Sequence, residues 1–108
     1  MSLTNPDVTI IITNYNYSKY LARAVRSCLN QSNISHEVIV VDDCSTDDSL
    51  DVLHPFKDDV KIVSTSRNSG VATAANLGVK HSRGQFFVRV DAYDYVNFDL
   101  FFLFKTFL

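Results

Sequence analysis

Four short apolar runs alternate with segments of helical periodicity along this chain, and that alternation restricts its fold more than any other feature. The runs are VTIIIT (8–13), HEVIVVDD (36–43), VKIVST (60–65) and QFFVRVD (85–91). Each is nearly uninterrupted, rich in β-branched residues and closed by polar turn residues, the pattern of a strand buried on both faces. After the first run, Tyr20, Leu21, Ala24, Val25, Cys28 and Leu29 recur at helical spacing, with Ser18 as the expected N-cap. STDDSLDVLHPF opens on Ser45 with Asp48 three residues on, a capping-box-like start, and Pro55 closes it. Asp47 and Asp48 also suit the positive end of a helix dipole. SGVATAANLGVKHSRG (69–84) reads as a third helix, whose small residues allow close approach to a sheet. NFDLFFLFKTFL (97–108) starts a fourth. The order β-α-β-α-β-α-β-α predicts a three-layer α/β/α fold with a mainly parallel sheet of order 3-2-1-4.

With 108 residues the chain is a single domain. Its 46% apolar and 20% charged residues are those of an ordinary globular protein. A net charge of −2 argues against nucleic acid as a partner, but not against phosphate, which backbone N–H groups, helix ends and metals can hold. Cys28 and Cys44 have neither metal-like nor redox-like spacing and no signal peptide precedes them, so a reduced, cytoplasmic chain is expected. The inner membrane face is a second location to consider. The ending FDLFFLFKTFL is too short to span a bilayer and carries Asp99 and Lys105. A helix so apolar needs cover on nearly every side. The expectation is a domain truncated at its C-terminus, or a homo-oligomer formed through this tail.

Ligands of open parallel sheets bind beyond the carboxyl ends of the strands, which directs attention to TNYN, DDCSTD, STSRNSG and DAYDY. Thr13 offers a hydroxyl and Tyr15 a ring for a base to stack on, though Thr and Asn are common in any such turn. Asp42 and Asp43 stand where a carboxylate can accept from a base N–H or a ribose hydroxyl, the plainer reading being one cap and one solvated acid. Arg67 can balance phosphate charge, Asn68 and Gly70 lie in the loop before the third helix, and Gly70 permits close backbone approach. Asn76 is a poor helix former inside that helix, which a polar contact back to the strand ends would explain. The spacing is not that of a phosphate-binding glycine loop. Asp91 and Asp94 can share Mn2+ or Mg2+, hard cations that take carboxylate and diphosphate oxygens together; a polar turn is the plainer reading.

Taken together, VTIIITNYN, EVIVVDDCSTDDS and NSGVATAANLGVKHSRGQFFVRVDAYD resemble the family 2 glycosyltransferases of the GT-A fold, in order, from about Val8 to Asp94. The resemblance implies an inverting transfer from a nucleotide-activated sugar, a UDP-sugar above all, to a glycan or lipid acceptor. It implies that Thr13, Tyr15 and Asp43 hold base and ribose, and that Asn68, Gly70, Asn76 and Asp91 complete the nucleotide site. Asp94, with Asp91, would hold the metal beside the diphosphate. The family's loop usually reads D-x-D-D; here Tyr93 takes the third position, and Ala75 stands where an Arg often precedes the residue matching Asn76. The acceptor-binding half, with the catalytic base, is expected beyond this sequence, so no residue is assigned that role. Two other readings are a nucleotide-binding or assembly fragment without transfer, and a phospho-acceptor receiver domain built on VIVVDD. A strand and helix before the acidic pair, and no role for TNYN, oppose the second.

Overall fold

β1 (Val8–Asn14) is buried at every position, as a strand must be when its alternating side chains meet a covered face on either side. A computed structural model describes residues 5–31 and 34–94. In it β1 pairs with β2 (His36–Asp42) on one edge and with β4 (Phe86–Asp91) on the other, and β2 pairs with β3 (Lys61–Ser64). All three pairings are parallel, and the sheet order is β3-β2-β1-β4, as the sequence predicts.

The period of two divides the sheet into two cores. Ile10, Ile12, Val38 and Val40 pack with Leu21, Val25 and Cys28 of α1 (Ser18–Leu29) and Leu53 of α2 (Ser49–Leu53). Ile11, Ile39 and Val41 meet Ala74 of α3 (Val71–His81) on the opposite face. These are the expected three layers. α3 comes close because Gly78 carries no side chain: a Cβ there would lie 2.5 Å from Ile11 Cγ2.

The helix starts differ from the sequence reading. Ser18 is the first residue of α1, not its cap; Tyr17 holds the cap position without a side-chain hydrogen bond. The Ser18 N–H donates instead to Asp47 Oδ2 at 3.0 Å, across 29 positions of chain. α2 starts at Ser49 rather than near Ser45 and lasts five residues, and Pro55 lies in the 3-10 helix His54–Phe56 that follows. Ser45 is drawn away from α2 because its N–H and hydroxyl donate to Asp42 Oδ2 and Oδ1, at 3.0 and 2.7 Å. Asp47 Oδ1 accepts the Ser49 N–H at 3.0 Å, so one carboxylate serves the starts of α1 and α2. The expected fourth helix and its apolar tail lie outside the described residues.

Candidate nucleotide site

The loops leaving β1 and β2 are laced together by short polar side chains. Asn14, buried, donates from Nδ2 to Asp42 Oδ1 at 2.8 Å and to Ser45 Oγ at 3.2 Å. Asn16 adopts a left-handed conformation, φ 59°, a region Asn enters more readily than most residues. Its Oδ1 accepts the N–H groups of Thr46 and Asp47 at 2.7 and 3.2 Å. This lacing divides the acidic pair. Asp42 is committed to Asn14 and Ser45, whereas Asp43 turns toward the loop that leaves β3.

Asp43 is buried and accepts from three residues of that loop. Thr65 Oγ1 donates to Oδ1 at 2.8 Å, Ser69 Oγ to Oδ1 at 2.7 Å, and the Gly70 N–H to Oδ2 at 2.8 Å. The Ser69 N–H lies 3.0 and 3.1 Å from the two oxygens. Burial pushes the carboxyl up, but these donors outweigh it and hold it below the ordinary carboxylate range. Gly70 holds the N-cap position of α3 at φ 94°, a conformation that favours glycine. Asp43 thus fixes the loop before α3 as well as facing the cleft.

Beyond the strand ends lies a cleft of about 370 Å³. It brings together Thr13, Tyr15, Asp43, Asn68, Gly70 and Asp91 from four separate strand-end loops. Asn76 is exposed on α3 and is not among the residues lining the cleft. Asp94 is likewise outside the lining, one tight turn past Asp91: its N–H donates to the Asp91 carbonyl at 2.9 Å, and its Oδ2 accepts the Asp91 N–H at 3.3 Å.

Three polar lining residues escape the sequence reading, Asn14, Tyr17 and Arg89, besides the apolar Val71 and Ala74. Arg89 stands two residues before Asp91 on β4, hence on the same side of the strand. Its Nη1 forms an ion pair with Asp91 Oδ1 and lies 3.3 Å from Thr13 Oγ1. The lone cation in an otherwise apolar strand was the available signal. Tyr93, at the third acid's position, donates its hydroxyl to Asp91 Oδ2 at 3.2 Å. Its ring meets Tyr17 at 5.1 Å between centroids, tilted by 55°. The bond to Asp91 and that carboxylate's charge hold the Tyr93 phenol above its usual range.

The donor set suits a hard cation in kind, since Asp91 and Asp94 offer oxygens, but it is short in number. Among the described residues no group of three or more His, Cys, Asp or Glu side chains is placed to hold a metal. Any divalent ion here would draw most of its ligands from elsewhere, as diphosphate oxygens and water can supply.

Residues 9–103 match the family described as Glycosyl transferase family 2. An uncharacterized glycosyltransferase of Haemophilus influenzae is 36% identical over 97 residues, covering 87% of this chain and 39% of that protein. The succinoglycan biosynthesis protein ExoO of Rhizobium meliloti is 36% identical over 95 residues, covering 87% of this chain and 27% of its own length. The chain therefore spans well under half the length of these relatives. Among solved structures, S. aureus TarS 1-349 in complex with UDP-GlcNAc superposes with a TM-score of 0.85 at 30% identity, over 94% of this chain and 30% of that one. The mannosyltransferase PcManGT of Pyrobaculum calidifontis, in complex with GDP-Man and Mn2+, gives 0.77 at 25% identity, over 86% of this chain and 29% of that one.

Proposed function

Because the chain belongs to glycosyltransferase family 2, we propose that it forms the donor-binding side of an inverting glycosyltransferase that uses a UDP-sugar and a glycan or lipid acceptor. The observation that carries this reading is the convergence of Thr13, Tyr15, Asp43, Asn68, Gly70 and Asp91 in one cleft beyond the strand ends. Tyr15 is 37% exposed and offers its ring to a base. Asp43 keeps a charged carboxylate beside it and accepts from base or ribose, while Thr13 and Asn68 supply shorter polar contacts. The TarS complex supports uridine as the base.

The cleft's own charge bears on the diphosphate. Its lining carries two carboxylates, Asp43 and Asp91, against one guanidinium, Arg89. A diphosphate entering there meets net negative charge unless a cation enters too, and Coulomb repulsion at these ranges is substantial when water is displaced. We assign that cation to Mn2+ or Mg2+ at Asp94, with Asp91 beside it. An ion held there would supply charge stabilisation for the departing diphosphate. The protein's part is to hold the base through Tyr15 and Asp43 and to fix the loop geometry that presents the phosphates. In the reaction an acceptor hydroxyl, deprotonated by a general base, displaces the nucleoside diphosphate at the anomeric carbon with inversion. The described residues belong to the donor and leaving-group side. Asn76 has no part in this scheme. For the whole protein we propose a cytoplasmic location, which the two free cysteines support. Among the described residues no helix is long and apolar enough to cross a membrane.

Calorimetric titration with UDP and GDP, each with and without Mn2+, tests the reading. UDP with Mn2+ is expected to bind tightest, and Asp94→Asn to remove the effect of Mn2+. Equal and weak binding of every nucleotide under every condition would refute it.

A further inference from the structure

We propose that the Ser69 hydroxyl competes with the nucleotide for Asp43, so that Ser69 sets the affinity of the cleft for a nucleoside diphosphate without lining the cleft itself. The inference rests on the reading of Asp43 as acceptor for a base or ribose hydrogen, and refines it.

The competition follows from counting. A carboxylate has about four lone-pair sites. Four donor hydrogens already converge on Asp43: the hydroxyls of Thr65 and Ser69, and the N–H groups of Ser69 and Gly70. They are unevenly shared. Oδ1 takes both hydroxyls, at 2.8 and 2.7 Å, while Oδ2 takes the Gly70 N–H at 2.8 Å. The Ser69 N–H settles on neither oxygen, at 3.0 Å from Oδ1 and 3.1 Å from Oδ2. With Oδ1 crowded, it leans on Oδ2 and occupies the lone pair that an incoming N–H or O–H needs. Asp43 is buried, so a ligand approaches it from the cleft, where Gly70 also lies.

Of the four donors, the Ser69 hydroxyl yields most easily. The N–H groups move only with the backbone, and Gly70 is held at the start of α3. Thr65 is fixed by its own N–H, which donates to the Asp42 carbonyl at 2.9 Å, and by a β-branched side chain of restricted χ1. Its hydroxyl proton is also shared with the Arg67 carbonyl at 2.8 Å. Ser69 is half-buried, and among the described residues its hydroxyl has no second acceptor. Rotation about one bond carries that hydroxyl from Oδ1 into another staggered well. The Ser69 N–H then closes on Oδ1, and Oδ2 keeps a lone pair free beside Gly70, in the wall of the cleft. The loop stays hung on its two N–H groups throughout. Ser69 is a positioning residue in this account: it acts on the nucleotide through Asp43.

Calorimetric titration with UDP tests this without any measurement of turnover, with folding checked by circular dichroism. Ser69→Ala removes the competitor and is expected to raise UDP affinity about five-fold, the scale of one hydrogen bond. Ser69→Thr keeps the hydroxyl and is expected to bind like wild type. In an Asp43→Asn background the gain from Ser69→Ala should vanish, which a general loosening of the loop would not produce. Should Ser69→Ala fail to fold, Ser69→Cys, a weaker donor, decides on the same criterion. The proposal is overturned if the folded variant binds UDP no better than wild type, if Ser69→Thr gains as much as Ser69→Ala, or if the gain persists in Asp43→Asn. The parent reading is judged separately, by Asp43→Asn alone. If that variant binds UDP as well as wild type, or if wild type binds no UDP, both readings fall.

Discussion

Asp43 and Gly70 are joined by a hydrogen bond of 2.8 Å, from the Gly70 N–H to Asp43 Oδ2, which ties the end of β2 to the start of α3. With the bonds from Ser69 and Thr65, it makes the carboxylate both a wall of the cleft and the peg on which the α3 loop hangs. Asp43→Ala leaves several donors without their acceptor. It should lower unfolding stability by about 3 kcal/mol, the scale of lost bonds to a charged group. The same change should weaken UDP binding by about 1–3 kcal/mol. Urea titration measures the first and calorimetry the second; an unchanged UDP affinity in a folded variant would remove Asp43 from the recognition scheme.

The protein should be labile to acid. Glu37, Asp43 and Asp47 all face burial that raises their pKa and hydrogen bonds that more than offset it, so each is held below its ordinary value. A group with a depressed folded-state pKa binds fewer protons folded than unfolded. Its stabilisation is complete above the ordinary carboxylate range and drains away as pH falls through the folded-state value. Melting temperature should therefore hold level above about pH 5 and decline below about pH 4. Asp47→Asn, which cannot charge, should make that decline shallower.

Gly78→Ala should destabilise the protein although Ala is the better helix former. The gain in helix propensity is about 1 kcal/mol. Against it stands a Cβ 2.5 Å from Ile11 Cγ2 and 3.2 Å from Val41 Cγ2, both branched side chains of the sheet with little room to turn. Overpacking of this kind costs about 1–3 kcal/mol, so a net loss of about 1 kcal/mol is expected by thermal or chemical unfolding. A gain in stability would mean that α3 rides farther from the sheet than described.

Tyr15→Ala should weaken nucleotide binding by about 1–3 kcal/mol, the contribution of an aromatic side chain stacked on a base. Tyr15→Phe should keep most of the affinity, because the proposed contact is made by the ring and not the hydroxyl. Titration of UDP into both variants checks this, and equal losses in the two would point to the hydroxyl instead.

The centre of the sheet was legible because β1 and most of β2 are buried on both faces. The edge strands β3 and β4, expected to be buried alike, are largely exposed or half-buried. Ile10, Ile11 and Ile12 all need cover, so their run could not be mistaken for a half-solvated strand. The strand order followed from short crossovers. The helix starts were not legible. Ser45 carries a cap's chemistry, but Asp42, from the end of β2, takes its donors. Ser18 is served by Asp47 from another loop. Such caps are tertiary, and local sequence patterns cannot register them. In the cleft, residues just past strand ends were readable from position alone, whereas Arg89 lies inside β4 and shows its part only when Asp91 and Thr13 are seen beside it. Asn76 shows the opposite case, lying outside the cleft lining. Its helical position was right, but its side of the helix faces solvent.

Amide chemical-shift mapping with UDP and Mg2+ tests the central claim most directly, because it reports where the nucleotide sits as well as whether it binds. The account predicts perturbations concentrated at Thr13, Tyr15, Asp43, Asn68, Gly70 and Asp91. The groove at the opposite end of the strands, around His36, Asp58, Lys61 and His81, should stay unperturbed. Saturable shifts centred on that second groove, or none anywhere at millimolar UDP, would contradict it.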